Sequence, residues 1–361
     1  MRKNNFSGYL RISSLLFLAL FSTGCASMAY RIRPPAETGK GNTHYIENVP
    51  PVSQKAYQCG PAALESVFRY WGRDADARAI ADTLFKPGSL GVLDFTLSQY
   101  ARTQGFWTQM REAPNVEVGM TELKTSILRK IPPIVMLKAG ILWVPTYHFV
   151  VLKGFDDIGQ LFYANVGEPE TYAINYSRLQ SRWRGSDNWY LIICPPERVG
   201  WDLNEADSED LALYCDRSGK TDLAEKWYRR VLAYNPASRP ARFNLANCYL
   251  KSKRFEEARA IYSALLKEKP DWGPAANNLA WVYLEEGQPQ EAVNVIEATF
   301  KSGAQRQVDI LDTMGTAYCR LKEYEPARRY LFEAIQKIPS TDTESLALVH
   351  QHLAECEIKK F

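Results

Sequence analysis

From about residue 205 onward the chain repeats itself with a period near 34 residues, a length that dictates stacked helical pairs. The segments GKTDLAEKWYRRVLAYNP, KRFEEARAIYSALLKEKP, GQPQEAVNVIEATFKSGA and KEYEPARRYLFEAIQKIP follow one another at that spacing. The last three are preceded by NLANCYL, NLAWVYL and TMGTAYC. In these, Ala246, Ala280 and Gly315 stand where two helices must approach within a small side chain, and Tyr249, Tyr283 and Tyr318 follow three residues on. Ala224, Ala258, Ala292 and Ala327 open the second helix of each pair, and Pro236, Pro270 and Pro339 close it. Ala304 replaces the Pro in the third unit, and one extra residue precedes the fourth. Such units cannot bury their apolar faces alone, so they stack and need a polar end. ESLALVHQHLAECEIKK has the polar face of a terminal cap.

The pattern over 205–361 resembles the tetratricopeptide repeat, with about four helix pairs and a C-terminal capping helix. The resemblance implies an all-α superhelix whose first helices line a concave face that takes a protein partner. Helical offsets place Asn247, Lys251, Asn277 and Trp281 on that lining. Amides suit a peptide backbone, Lys a carboxylate and the indole a large contact area.

The N-terminus has a different character. MRKNNFSGYLR is a basic segment, and ISSLLFLALFSTG is an apolar run of signal-peptide length. Small residues before Cys25 resemble the bacterial lipoprotein cleavage box. That resemblance implies a signal peptide over 1–24, lipidation of Cys25 and an envelope location, with Ala26 favouring the outer membrane facing the periplasm. Residues 25–45 read as a polar tether. Arg2, Lys3 and Arg11 are the only charges in 1–24 and the formal net charge is +3, so the remaining chain is neutral. That balance gives no electrostatic case for nucleic-acid binding.

Residues 46–196 read as a separate domain, joined to the repeats by a linker at 197–204. Helical patterns run to about residue 130, and then PPIVML, YHFVVLKGF, QLFYANV and NWYLIICPP read as strands, with FDDIGQLF as a hairpin turn. Helices followed by an antiparallel sheet make an α+β domain. Its chemistry centres on SQKAYQCGPAALESVFRYWG, where Cys59 opens a helix. A helix N-terminus favours thiolate over thiol. Gly60 and Pro61 suit a helix start, with Gly60 letting backbone come close to substrate. Of four His residues, His44 lies in the tether and His350 and His352 in the last helix, leaving His148 as the base available to Cys59. No metal site, cofactor box or phosphate loop is legible. Cys194 reads as core, and Cys215, Cys248, Cys319 and Cys356 as unpaired thiols buried on helices.

Cys59 followed by His148 resembles the papain-like fold. VPPVSQKAYQCGPAAL with YHFVVLKGFDD resembles more narrowly the bacteriocin-processing, double-glycine leader peptidases and their lipoprotein relatives that carry tetratricopeptide repeats. The resemblance implies that Gln54 shares the oxyanion hole with the Cys59 N–H. It also implies that a residue on the strand after His148 orients the imidazole. Asn165 occupies the place where these peptidases carry Asp, giving a Cys59–His148–Asn165 triad; Asp156 and Asp157 are poorer substitutes in the turn. The expected activity is cleavage of a peptide or leader segment by a membrane-anchored cysteine peptidase. The alternatives are an inactive peptide-binding relative and acyl or peptidyl transfer on the same triad.

Overall fold

The computed structural model describes residues 30–31, 43–53, 59–85, 94–139, 146–165 and 171–358. The chain divides into two compact units between Gly200 and Trp201. The first is α+β and the second is helical.

In the first unit, chain order runs β1 (Tyr30–Arg31), β2 (Thr43–Tyr45), α1 (Cys59–Tyr70), α2 (Ala77–Leu84), α3 (Asp94–Thr103), β3 (Trp107–Glu112), α4 (Val116–Leu128) and β4 (Ile134–Lys138). Then come β5 (Tyr147–Asp156), β6 (Leu161–Asn165), β7 (Tyr172–Asn175), α5 (Tyr176–Trp183) and β8 (Trp189–Cys194). Among the described residues the strands form one antiparallel sheet in the order β1-β7-β6-β5-β4-β8-β3, with β2 also paired to β5. Strand β5 is its spine. β4 pairs with its first half, Tyr147–Val151, and β6 with its second, Val151–Asp156, and all residues from Phe149 to Phe155 are buried. β8 is buried throughout, and Trp107, Trp183 and Trp189 lie fully inside.

Two features depart from expectation. β3 lies in a stretch that reads as helical, because WTQMRE alternates too weakly to declare a strand facing β8. The 25–45 segment carries sheet pairing at both ends: Tyr30 lies opposite Ala173, and Thr43 opposite Asp156. Such pairing is made by backbone N–H and C=O groups, so a polar sequence can supply it.

The second unit is a run of nine helices among the described residues: α6 (Glu205–Arg217), α7 (Thr221–Tyr234), α8 (Arg239–Lys251), α9 (Phe255–Glu268), α10 (Gly273–Glu285), α11 (Pro289–Lys301), α12 (Val308–Arg320), α13 (Tyr324–Lys337) and α14 (Thr343–Ile358). Ala224, Ala246, Ala258, Ala280, Ala292 and Ala327 are all fully buried, as close helix approach requires. Gly315 is tighter still: a Cβ there would lie 2.5 Å from Leu331 Cγ. Gly315→Val is therefore expected to cost about 3 kcal/mol through overpacking, measurable as a fall in the denaturant midpoint of the helical unit.

The turn inside each helix pair uses one left-handed residue, at Gly219, Lys253, Gly287 and Lys322. Those numbers step by 34, 34 and 35, so the extra residue in the third unit is absorbed before α12 and the turn geometry is kept. The last helix is fastened to α12 by a disulfide between Cys319 and Cys356, with Cα atoms 5.5 Å apart. This corrects the expectation that both thiols are unpaired; Cys215 and Cys248 are free and fully buried. His352 Nδ1 on α14 also lies 2.8 and 2.9 Å from the two carboxylate oxygens of Asp312 on α12.

Candidate active site

Cys59 is the first residue of α1, and every residue from Gly60 to Phe68 is buried. The far end of the helix is fixed by two long-range bonds: Tyr70 Oη donates to Lys130 O at 2.7 Å, and Trp71 Nε1 donates to Ile193 O at 2.9 Å. Gly60 is needed for packing. A Cβ there would lie 3.2 Å from Leu97 on α3 and 3.4 Å from Phe149 on β5, so its close approach is to protein rather than to substrate.

Cys59, Ala62, Ala63 and Ser66 fall at helical spacing on one face of α1. They line a small cleft with Val52, Phe149, Val151 and Asn165. The register explains part of this convergence, since Val151 on β5 lies directly opposite Asn165 on β6. His148 lies opposite Leu137 at the start of β5 and is half-buried. It is the residue immediately before Phe149, whose backbone N–H bonds the Cys59 sulfur. The fold thus brings the nucleophile candidate to the strand end that carries the base candidate, and brings Asn165 into the same cleft.

The electrostatics reverse one expectation. The N–H groups of Phe149, Gly60 and Cys59 favour thiolate, but burial outweighs them and pushes the Cys59 thiol up. Burial likewise pushes the His148 imidazole down. Both shifts disfavour the charged forms, so neither favours the thiolate that a helix N-terminus by itself suggests.

Asn165 is buried, with Nδ2 donating to Pro50 O at 3.1 Å, Val49 O at 3.4 Å and Ser66 Oγ at 3.3 Å. Its Oδ1 has no hydrogen-bond partner among the described residues. Ser66 and the Val49 and Pro50 carbonyls were not found by sequence reasoning. The only available signal was the spacing that puts Ser66 on the Cys59 face of α1. Asp156 accepts from Ile158 and Gly159 N–H groups in the turn, and Asp157 is taken by Lys124 and Tyr176. Both sit at the opposite end of β5 from His148. Cys194 is fully buried with its thiol pushed up to about 12 by burial, as suits a core residue. Gln54 and Cys25 lie outside the described residues.

Residues 46–188 match the Peptidase_C39 like family, and residues 217–280 match a tetratricopeptide repeat. The chain carries a Peptidase_C39-like domain followed by tetratricopeptide repeats. No curated protein matches the sequence significantly. Among solved structures, a thermophilic tetratricopeptide-repeat protein of Thermus thermophilus has 19% identity, a TM-score of 0.37 and coverage of 43% of this chain and 89% of that one. A MamA structure has 17% identity, a TM-score of 0.34 and coverage of 37% and 78%. A MamA RS-1 double mutant has 14% identity, a TM-score of 0.34 and coverage of 37% and 74%.

In the repeats of this chain, the four residues expected on the partner surface are engaged internally. Asn247 Oδ1 accepts from Tyr262 Oη at 2.6 Å and from Asn278 Nδ2 at 2.8 Å. Asn277 Nδ2 donates to Asn278 Oδ1 at 3.3 Å, and its Oδ1 accepts from Thr313 Oγ1 at 2.7 Å. Lys251 pairs with Asp216, and Trp281 packs against the apolar cluster around Ala280. These contacts stitch each repeat to the next.

Proposed function

We propose that the first unit is a cysteine peptidase acting on a peptide or leader segment, with Cys59 as nucleophile, His148 as base, Asn165 as the third member and Gln54 in the oxyanion hole. The observation that carries this reading is the placement of a half-buried Cys59 at a helix N-terminus, against the Phe149 N–H that follows His148, in the cleft that Asn165 lines. In this reading His148 takes the thiol proton as sulfur adds to the scissile carbonyl. The proton then passes to the leaving amine, and water attacks the thioester to release the second product. Burial that disfavours both charged forms fits a proton transfer made at the moment of attack.

The repeats are read as a protein-interaction module. Asn247, Lys251, Asn277 and Trp281 stay the proposed partner-facing set. Capture through Asn247 or Asn277 competes with their bonds to neighbouring repeats, whereas the Lys251 side chain is 51% exposed and Trp281 is only partly buried. Lipidation of Cys25 and an outer-membrane location facing the periplasm remain part of the proposal. The Cys319–Cys356 bond supports an oxidising compartment. No described helix is long and apolar enough to cross a membrane.

A second reading, an inactive peptide-binding relative, draws support from Asn165 standing where the double-glycine peptidases carry Asp. Incubation of the purified protein with a peptide library, followed by mass spectrometry, separates the two. New termini that disappear in Cys59→Ala support peptidase action; peptides that co-elute intact with wild type support the binding module. Products joined to an added amine would instead point to transfer.

A further inference from the structure

Asn165 is 4% exposed, yet its Oδ1 has no hydrogen-bond partner among the described residues. Ser66 Oγ donates its hydrogen to Pro50 O at 2.6 Å, so toward Asn165 it acts as an acceptor. Val49 O and Pro50 O accept as well. All three neighbours of Nδ2 therefore demand a donor, which fixes which end of the amide faces them. Oδ1 is left, among the described residues, as a buried acceptor without a partner, on a residue that lines the cleft with Cys59.

We propose that Ser66 and the Val49 and Pro50 carbonyls form an amide-specific cage, a set of positioning groups that aims Asn165 Oδ1 into the cleft, clamps the segment leading to Gln54, and rejects a charged Asp at this position. The cage gives a physical reason for Asn where the double-glycine peptidases carry Asp. A carboxylate at 165 would set negative oxygens against two carbonyls in a buried site. A protonated Asp could still donate its single O–H to Pro50 O. The catalytic consequence rests on the peptidase reading; the cage itself does not.

The test is Asn165→Asp in the full chain, compared with wild type, Asn165→Ala and Ser66→Ala across pH. The readouts are melting temperature and hydrogen exchange of residues 46–53. The buried Asp has its folded pKa raised above the ordinary value of about 3.9. Its variant should therefore match wild type in acid, then lose stability as pH rises through that raised pKa. Other titratable groups on the surrounding elements include Glu47 in the 46–53 segment, Cys59 and Glu65 on α1, His148, Lys153 and Asp156 on β5, Tyr163 on β6, and Tyr45. Glu65 is engaged by Arg69 and the Ala77 N–H, and Lys153 lies over the Tyr45 ring. All are present in both proteins, so the difference between variant and wild type isolates residue 165.

Near neutral pH we expect Asn165→Asp to melt lower by about 5 °C, with faster exchange in 46–53. Acid should restore it. Asn165→Ala should be loosened at every pH, and Ser66→Ala should speed exchange of 46–53 to a smaller extent. Wild-type stability and exchange in Asn165→Asp at neutral pH would overturn the cage. These readouts need no turnover: a caged Asn165 in a chain that cleaves nothing would keep this inference and remove the peptidase reading, and an uncaged one in an active enzyme would do the reverse.

Discussion

Cys59→Ala and His148→Ala are each expected to abolish turnover while leaving the fold intact. The first removes the sulfur that becomes the acyl carrier, and the second removes the group that accepts its proton. Gln54→Ala should be milder, costing about 10²–10³ in rate if its side chain donates to the oxyanion. Asn165→Ala should cost less than loss of the base, because it acts through positioning. The measurement is steady-state cleavage of a peptide identified from the library experiment, with circular dichroism to establish folding. Because burial holds His148 below the ordinary imidazole value, the acid limb of the rate profile should fall below about pH 6.5. An equal loss from Asp156→Ala would move the orienting role to the turn.

The second large effect concerns the terminal cap. Cys356→Ser opens a loop of 37 residues between Cys319 and Cys356 and should lower the stability of the helical unit by about 4 kcal/mol on the chain-entropy account. What then holds α14 is the burial of Val349 and Leu353 together with the His352–Asp312 pair. Asp312 raises the His352 pKa, so that pair stabilises most fully below the unfolded imidazole value and is lost as pH rises through the folded one. Hydrogen exchange across residues 343–358 in Cys356→Ser should therefore quicken from mildly acid to mildly alkaline pH. The oxidised wild type should resist that change. A Cys356→Ser protein with unchanged melting and exchange would show that the bond contributes nothing to the cap.

The repeats were legible because their period is carried by residues with one steric job. Ala246, Ala280 and Gly315 must be small wherever helices touch, and that requirement leaves its mark in the sequence. The left-handed turns at Lys253 and Lys322 were not legible, since Lys carries no sign of positive φ and only their register with Gly219 and Gly287 reveals them. The Cys319–Cys356 bond was hidden for a different reason. It depends on α14 folding back beside α12, and spacing alone does not specify that return.

In the site, Cys59 was legible from Cys-Gly-Pro ahead of an apolar helical run, and His148 from the scarcity of other histidines. The surroundings of Asn165 were not, because Val49 and Pro50 act through backbone carbonyls and any residue has one. The upward push on the Cys59 thiol is illegible for a related reason. A helix N-terminus can be read from sequence, whereas the burial that outweighs it emerges only when α1 packs against β5.

The most direct test of the central claim is the site-resolved labelling rate of Cys59 by a peptidyl vinyl sulfone in native wild type and His148→Ala, with iodoacetamide as reference. Iodoacetamide should mark Cys59 ahead of the fully buried Cys194, Cys215 and Cys248, at a rate that climbs toward alkaline pH because burial raises the thiol. The peptidyl reagent should mark Cys59 alone. In His148→Ala its rate should fall by about 10²-fold or more, while the iodoacetamide rate changes little. Equal peptidyl labelling with and without His148, or earlier labelling of Cys194, would contradict a Cys59 nucleophile served by a His148 base.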